Sequence, residues 1–146
     1  MPRFTYKGKY KPIHVTKYVG NVKNIVYRSM WERRFMKYCD ENPDVLSWSS
    51  EELVIPYLSP IDRKLHRYFP DFLIKVKRGE KTQTIVIEVK PKKETKPPKK
   101  KKNITPRYLT EMKTYSVNAA KWKAAEAYCL DRRWEFKIIT EDHVGR

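Results

Sequence analysis

A glutamate and a lysine two positions apart close the most apolar run of the sequence, Ile85-Val86-Ile87-Glu88-Val89-Lys90. In an extended strand, side chains alternate between faces, so Glu88 and Lys90 share one face while Ile87 and Val89 take the other. Asp71 stands just after Pro70, near the start of a second stretch rich in Phe, Ile and Val. Arg78-Gly79-Glu80 between the two stretches reads as a hairpin turn. If the hairpin closes there, Asp71 falls opposite Lys90 or Glu88, within one or two residues of register. One hairpin then gathers an aspartate, a glutamate and a lysine, and that set suits phosphodiester hydrolysis. A hard cation such as Mg²⁺ takes oxygen ligands, commonly one or two carboxylates with waters and phosphate oxygens. Asp71 and Glu88 would supply the carboxylates. The bound metal lowers the pKa of a water and steadies charge on the phosphate. Lys90 would orient or deprotonate the attacking water, or stabilise the developing negative charge. Without metal, two close carboxylates repel and one binds a proton.

Glu32 is a separate clue. At 100° per residue on a helix, Tyr38, Trp31, Phe35, Cys39 and Met36 form one apolar arc, and Glu32 falls inside it. A carboxylate in a core-facing stripe needs a partner, because burying a bare charge is costly. A metal cluster is one partner. Ser29-x-x-Glu32 is also a capping box, in which Glu32 reaches back to the helix start. The sequence leaves both readings open. The other candidates have plainer readings too: Asp71 as a turn former after Pro70, and Glu88 with Lys90 as a solvated strand face. His66 and Arg67 precede Asp71 by five and four residues. They could touch phosphate or only shape a loop. Lys92 and Lys93 follow directly on Lys90, where nonspecific contact with a DNA backbone is plausible.

The elements that must position these residues read as follows. Residues 1–24 form a basic arm, irregular or strand-like. A helix runs over 28–42 and stops before Pro43. A short strand covers 51–57, a polar loop 60–67, and strands 68–77 and 82–90. Residues 91–106, with Lys92, Lys93, Lys96, Lys99, Lys100, Lys101 and Lys102 among prolines, break all periodicity and read as a mobile loop. A helix over 107–130 carries alanines that would let it lie close on a sheet, and a final strand spans 134–140. The expectation is one domain over 1–146, an α/β fold with a mixed β-sheet flanked by helices.

Charge says what such a domain would meet. Lys and Arg number 33 against 17 Asp and Glu, a net of +16, and the first acidic residue is Glu32. That surface attracts polyanions, nucleic acid above all, and exceeds what solubility requires. No apolar run approaches a membrane span, so a membrane role is not expected. The start of the chain does not read as a signal peptide. Cys39 and Cys129, far apart in helical patterns, are expected reduced and half-buried in an intracellular protein. With three scattered histidines they give no zinc spacing.

Three blocks together, Arg28-Ser29-x-x-Glu32, Tyr68-Phe69-Pro70-Asp71-Phe72 and Ile87-Glu88-Val89-Lys90-Pro91, resemble the PD-(D/E)xK nuclease superfamily in its TnsA-like branch. Further blocks are Tyr6-Lys7-Gly8-Lys9-Tyr10, Trp48-Ser49-Ser50-Glu51, Ile55-Pro56-Tyr57, His66-Arg67-Tyr68 and Phe136-x-Ile138-Ile139-Thr140-Glu141. With these, nearly the whole chain is similar to the head completion nucleases of myovirus-type tailed phages. The resemblance implies a restriction-endonuclease-like core with a divalent metal at the hairpin, Mg²⁺ or Mn²⁺ in its place. By match of position it implies Asp71 and Glu88 as metal ligands, Lys90 as the motif lysine and Glu32 as a helix-borne acid that joins them in some branches. Arg28, His66, Arg67, Lys92 and Lys93 are the candidate DNA contacts. The implied substrate is double-stranded DNA, and the implied partners are phage head or neck proteins. The implied place is the infected host cytoplasm, at a filled head being prepared for tail joining, or the virion itself. The same residues also admit a transposition or repair nuclease of this fold. A non-catalytic DNA-binding neck protein is a further reading, and its DNA binding would survive loss of Asp71, Glu88 and Lys90.

Overall fold

The computed structural model describes residues 7–143, so Arg3, Phe4 and Tyr6 of the basic arm lie outside the described residues. In chain order the elements are β1 (Gly8–Lys9), β2 (Val26–Tyr27), α1 (Met30–Glu41), β3 (Val45–Ser50), β4 (Ile55–Leu58), β5 (Leu65–Tyr68), β6 (Phe72–Arg78), β7 (Lys81–Val89), α2 (Pro106–Arg132) and β8 (Glu135–Ile139). Short 3₁₀ turns cover Val15–Lys17, Val22–Asn24 and Lys92–Thr95.

The main sheet has the order β3-β6-β7-β8. Its first three strands are antiparallel and β8 joins β7 in parallel. It is therefore the expected mixed sheet. The β6–β7 hairpin turns at Gly79, whose φ of 61° is one that glycine adopts without steric cost. Arg78 pairs with Lys81 and Phe72 with Ile87, a register that sets Asp71 beside Glu88.

The sheet separates two apolar layers. On one face, Phe35, Met36 and Cys39 of α1 pack against Val45, Trp48, Phe72, Ile74, Ile85 and Ile87. On the other, Trp122 and Ala125 of α2 pack against Ile55, Tyr57 and Tyr68, with Phe136 and Ile138 beside them. Ala125 is fully buried, and its small side chain lets α2 approach closely, as its alanines suggested. Each helix is capped as its sequence dictates. Ser29 accepts from the Glu32 N–H, and Thr105 accepts from the Tyr108 N–H with Pro106 at the first helical position. Both cysteines are free and buried rather than half-buried, on opposite faces of the sheet.

Several element boundaries differ from those the sequence suggests. β3, a strand of the main sheet, was not anticipated, and its polar Ser47, Ser49 and Ser50 explain why. The strand expected over 51–57 is confined to Ile55–Leu58 and runs through Pro56. Proline is tolerated there because the strand has one partner only. That partner, β5, occupies the end of the expected loop 60–67. Phe69-Pro70-Asp71 breaks the expected strand 68–77 into β5 and β6.

The described part of the basic arm is packed. Tyr10 and Tyr18 are buried edge-on against Trp48. Asp40, fully buried at the end of α1, accepts hydrogen bonds from the Tyr10 hydroxyl (2.8 Å) and from the N–H groups of Ile13 (2.7 Å) and His14 (2.9 Å). The expected mobile loop is anchored at its start. The Lys92 N–H donates to Glu141 Oε1 at 2.6 Å, and the Lys92 ammonium pairs with Asp142 at 3.1 Å. No helix among the described residues is long and apolar enough to cross a membrane.

Candidate active site

Asp71 leaves the β5–β6 break at the point where β7 ends, and its side chain turns back on that strand. The Val89 N–H donates to Asp71 Oδ2 at 2.7 Å. Glu88 is buried beside it, accepting from the Tyr68 hydroxyl at 2.6 Å through Oε1. The Lys90 ammonium stands 3.7 Å from Glu88 Oε2. The hairpin thus brings Asp71, Glu88 and Lys90 together, as strand alternation and register required.

The electrostatics of this pair are those of two acids crowded out of water. Burial, followed by the charge of Glu88, holds the Asp71 carboxyl well above the usual range, against the pull of the Val89 N–H and of Lys90. Burial also raises Glu88, opposed by the Tyr68 hydrogen bond, by Lys90 and by Lys121. Both carboxyls therefore resist ionisation unless a further cation joins them. Among the described residues, no group of three or more His, Cys, Asp or Glu side chains is arranged to hold a metal ion. Two carboxylates suffice for Mg²⁺, which keeps several waters and completes its shell with phosphate oxygens. The donor set, two carboxylate side chains, fits that cation.

Glu32 takes the capping reading, and among the described residues it forms no metal-holding group with Asp71 and Glu88. Its Oε1 accepts from the Arg28 N–H at 3.2 Å while Ser29 Oγ accepts from the Glu32 N–H at 3.2 Å, so the cap forms, displaced by one residue. Burial raises its carboxyl, and the charges of Glu51 and Glu88 push it further. Its charge is felt in turn by Asp71. Glu32, at the N-terminus of α1, is therefore close enough to the pair for their charges to act on one another.

The candidate DNA contacts are differently placed. Arg28 forks onto Glu51 with bonds of 2.9 and 3.1 Å, so its guanidinium is committed to a carboxylate. His66 pairs with Asp62 at 2.8 Å and lies against Tyr57. The exposed Arg67 lies over the Phe69 ring. Lys92 is paired with Asp142, and Lys93 is exposed.

Three site residues were not singled out from sequence. Tyr68, on the separate β4–β5 ribbon, bonds Glu88, and the charge of Lys121 on α2 acts on the same carboxyl. Glu51 links Arg28 to the Asp71 backbone, with its N–H donating to Asp71 O at 3.2 Å. Glu51 adopts φ 55°, a left-handed conformation that non-glycine residues seldom take outside special sites. Its place in the block Trp48-Ser49-Ser50-Glu51 was the one available signal.

Residues 42–141 match the family model described as the TnsA-like endonuclease N terminal, a stretch that contains Asp71, Glu88 and Lys90. The chain is also similar to the head completion nuclease of Enterobacteria phage T4. The two are 44% identical over 141 residues, covering 94% of this chain and 92% of that protein.

Proposed function

The chain belongs to the TnsA-like endonuclease family, and from that premise we propose that it is a phage head completion nuclease that hydrolyses DNA phosphodiester bonds at Asp71, Glu88 and Lys90. The observation that carries the site assignment is the pair itself. Asp71 and Glu88 lie side by side, both raised by burial, with the Lys90 ammonium 3.7 Å from Glu88. The Val89 N–H, the Tyr68 hydroxyl and Lys90 compensate the two acids only in part, since both carboxyls stay raised, and a bound cation would supply the rest.

Asp71 and Glu88 would hold a divalent cation, Mg²⁺ or Mn²⁺. When bound, that ion supplies Lewis acidity to the phosphate and makes a water acidic enough to attack. The Val89 N–H fixes one Asp71 oxygen and the Tyr68 hydroxyl fixes one of Glu88, so both carboxylates are oriented before substrate arrives. Lys90, on the same strand face as Glu88, orients the attacking water or takes its proton. Glu32 adds negative potential from the α1 N-terminus, beside the pair. The substrate is double-stranded DNA, drawn by the basic surface. Phage head or neck proteins would be the partners that bring the enzyme to a DNA-filled head in the infected cell.

The test is to incubate the purified protein with linear and closed circular DNA, with Mg²⁺ or EDTA, beside Asp71→Ala. Metal-dependent cutting by the wild type, with DNA binding but no cutting by the variant, supports the reading. Cutting of the closed circle identifies endonuclease action. DNA binding by both proteins with no cutting under any divalent metal overturns it.

A further inference from the structure

Lys121 sits in the middle of α2, half-buried over the β4–β5 ribbon. Its ammonium lies 5.8 Å from the centroid of the Tyr57 ring and 5.7 Å from that of Tyr68. Tyr68 is the residue whose hydroxyl donates to Glu88. The ammonium is therefore one aromatic ring away from the carboxylate pair, and its charge reaches Glu88.

Its partners set it apart from the other fixed lysines. Lys90 and Lys92 pair with carboxylates, and Lys17 donates to the carbonyls of Asp40 and Asn42. Among the described residues no carboxylate lies within ion-pair distance of Lys121, and its recorded contacts are the two rings and the charge of Glu88. Ring faces attract a cation and fix its direction, yet they accept its N–H groups only weakly. The three ammonium donors thus stay available for an anion. Lys90 approaches the pair from the end of β7, while Lys121 approaches across Tyr68 from α2. A phosphate drawn to a cation held by Asp71 and Glu88 would have both Lys90 and Lys121 in its neighbourhood.

We propose that Lys121, seated on Tyr57 and Tyr68, is a phosphate-binding residue that contacts a non-bridging oxygen of the DNA strand at the cleavage site. The proposal rests on reading Asp71 and Glu88 as the cleavage pair. The experiment compares wild type, Lys121→Met, Lys121→Arg and Asp71→Ala, with Lys121→Gln replacing the Met variant should that one fail to fold. Binding of a labelled duplex is followed in EDTA over a range of salt, and single-turnover cleavage is followed in Mg²⁺. For Lys121→Met, the slope of log K against log salt should shrink by about 0.9, the value for one phosphate contact. Its cleavage at saturating DNA should fall about 100-fold, the usual loss for one preorganised donor to transition-state charge. Lys121→Arg should restore both within a few-fold, which a purely structural role would not explain. If Lys121→Met keeps the wild-type slope and rate while Asp71→Ala does not cut, the nuclease reading stands and the phosphate role of Lys121 is wrong. If the wild type does not cut at all, the nuclease reading fails, and an unchanged salt slope sinks the Lys121 contact with it.

Discussion

Asp71 and Glu88 are kept close at a cost, and that cost has a sign that can be measured. Their folded carboxyls hold protons more tightly than unfolded ones, because burial disfavours the charged forms and the charge of Glu88 raises Asp71 further. Between the ordinary carboxylate range and the raised folded values, the native state binds more protons than the unfolded state. Stability of the metal-free protein therefore falls as pH rises through that window, and it stays lower above it. Asp71→Asn keeps an acceptor for the Val89 N–H and removes the charge. It is expected to stabilise the metal-free protein at neutral pH by roughly 1 kcal/mol, seen as a higher melting temperature and a flatter decline with pH. Mg²⁺ should raise the melting temperature of the wild type and leave the variant nearly unchanged. A variant that melts lower than wild type at every pH would contradict this. At the residue scale the sequence was informative where the geometry was local. Alternation put Glu88 and Lys90 on one face, and a turn at Gly79 put Asp71 opposite. Tyr68 and Lys121 were not legible, because their relation to Glu88 depends on α2 crossing the β4–β5 ribbon. No spacing along the chain encodes that crossing.

One helix, α1, carries a different role at each of its two ends. The start of α1 holds Glu32, which forms the cap and in the proposed reading also acts on the cleavage pair, and substitutions separate the two roles. Glu32→Gln keeps an oxygen for the Arg28 N–H and should change stability by less than about 0.5 kcal/mol while lowering cleavage. Glu32→Ala should cost about 1 kcal/mol as well. Chemical denaturation beside a cleavage assay distinguishes them, and equal cleavage by wild type and Glu32→Gln would leave the cap as the whole role. The end of α1 uses Asp40 to hold the arm. Burial pushes this carboxyl up, but the Ile13 and His14 N–H groups and the Tyr10 hydroxyl outweigh it and hold it below its usual value. Its stabilisation is present above the ordinary carboxylate range and is lost as pH falls through the lowered value. Asp40→Ala strands those three donors and should lower stability by about 3 kcal/mol, measured by urea unfolding at neutral pH. A loss within about 0.5 kcal/mol, the range of a neutral surface change, would show that the arm is held by its tyrosines alone. The strand hidden in Val45-Leu46-Ser47-Trp48-Ser49-Ser50 marks the limit of reading elements from composition. Ser49 and Ser50 are buried because a neighbouring strand and the arm cover them, which is tertiary information.

Across the whole molecule, the net charge of +16 is expected to do what the site alone does not, by drawing in a polyanion through contacts that do not read sequence. Part of that charge is already matched within the fold, since Arg28, Arg78 and Lys92 each pair with an acid. The run Lys99, Lys100, Lys101 and Lys102 is exposed. Replacing those four lysines by serine should reduce the salt slope of DNA binding by up to about 3.6, at about 0.9 per phosphate contact. Metal-dependent cleavage at saturating DNA should be left intact, and an unchanged slope would place this segment away from the DNA. The mixed sheet between two helices was legible in outline, because long periodic segments report their own type. The ribbon β4–β5 and the packed arm were not, because their burial is decided by what lies over them.

The most direct test of the account is single-turnover cleavage of a labelled duplex while Mg²⁺ is titrated, for wild type, Asp71→Asn and Glu88→Gln, with DNA binding measured in EDTA. A site built on these two carboxylates requires a saturable dependence on Mg²⁺ in the wild type, its loss in both variants, and DNA affinity within a few-fold for all three. Cleavage by either variant at the wild-type rate and metal concentration, or cleavage by the wild type in EDTA, would contradict it.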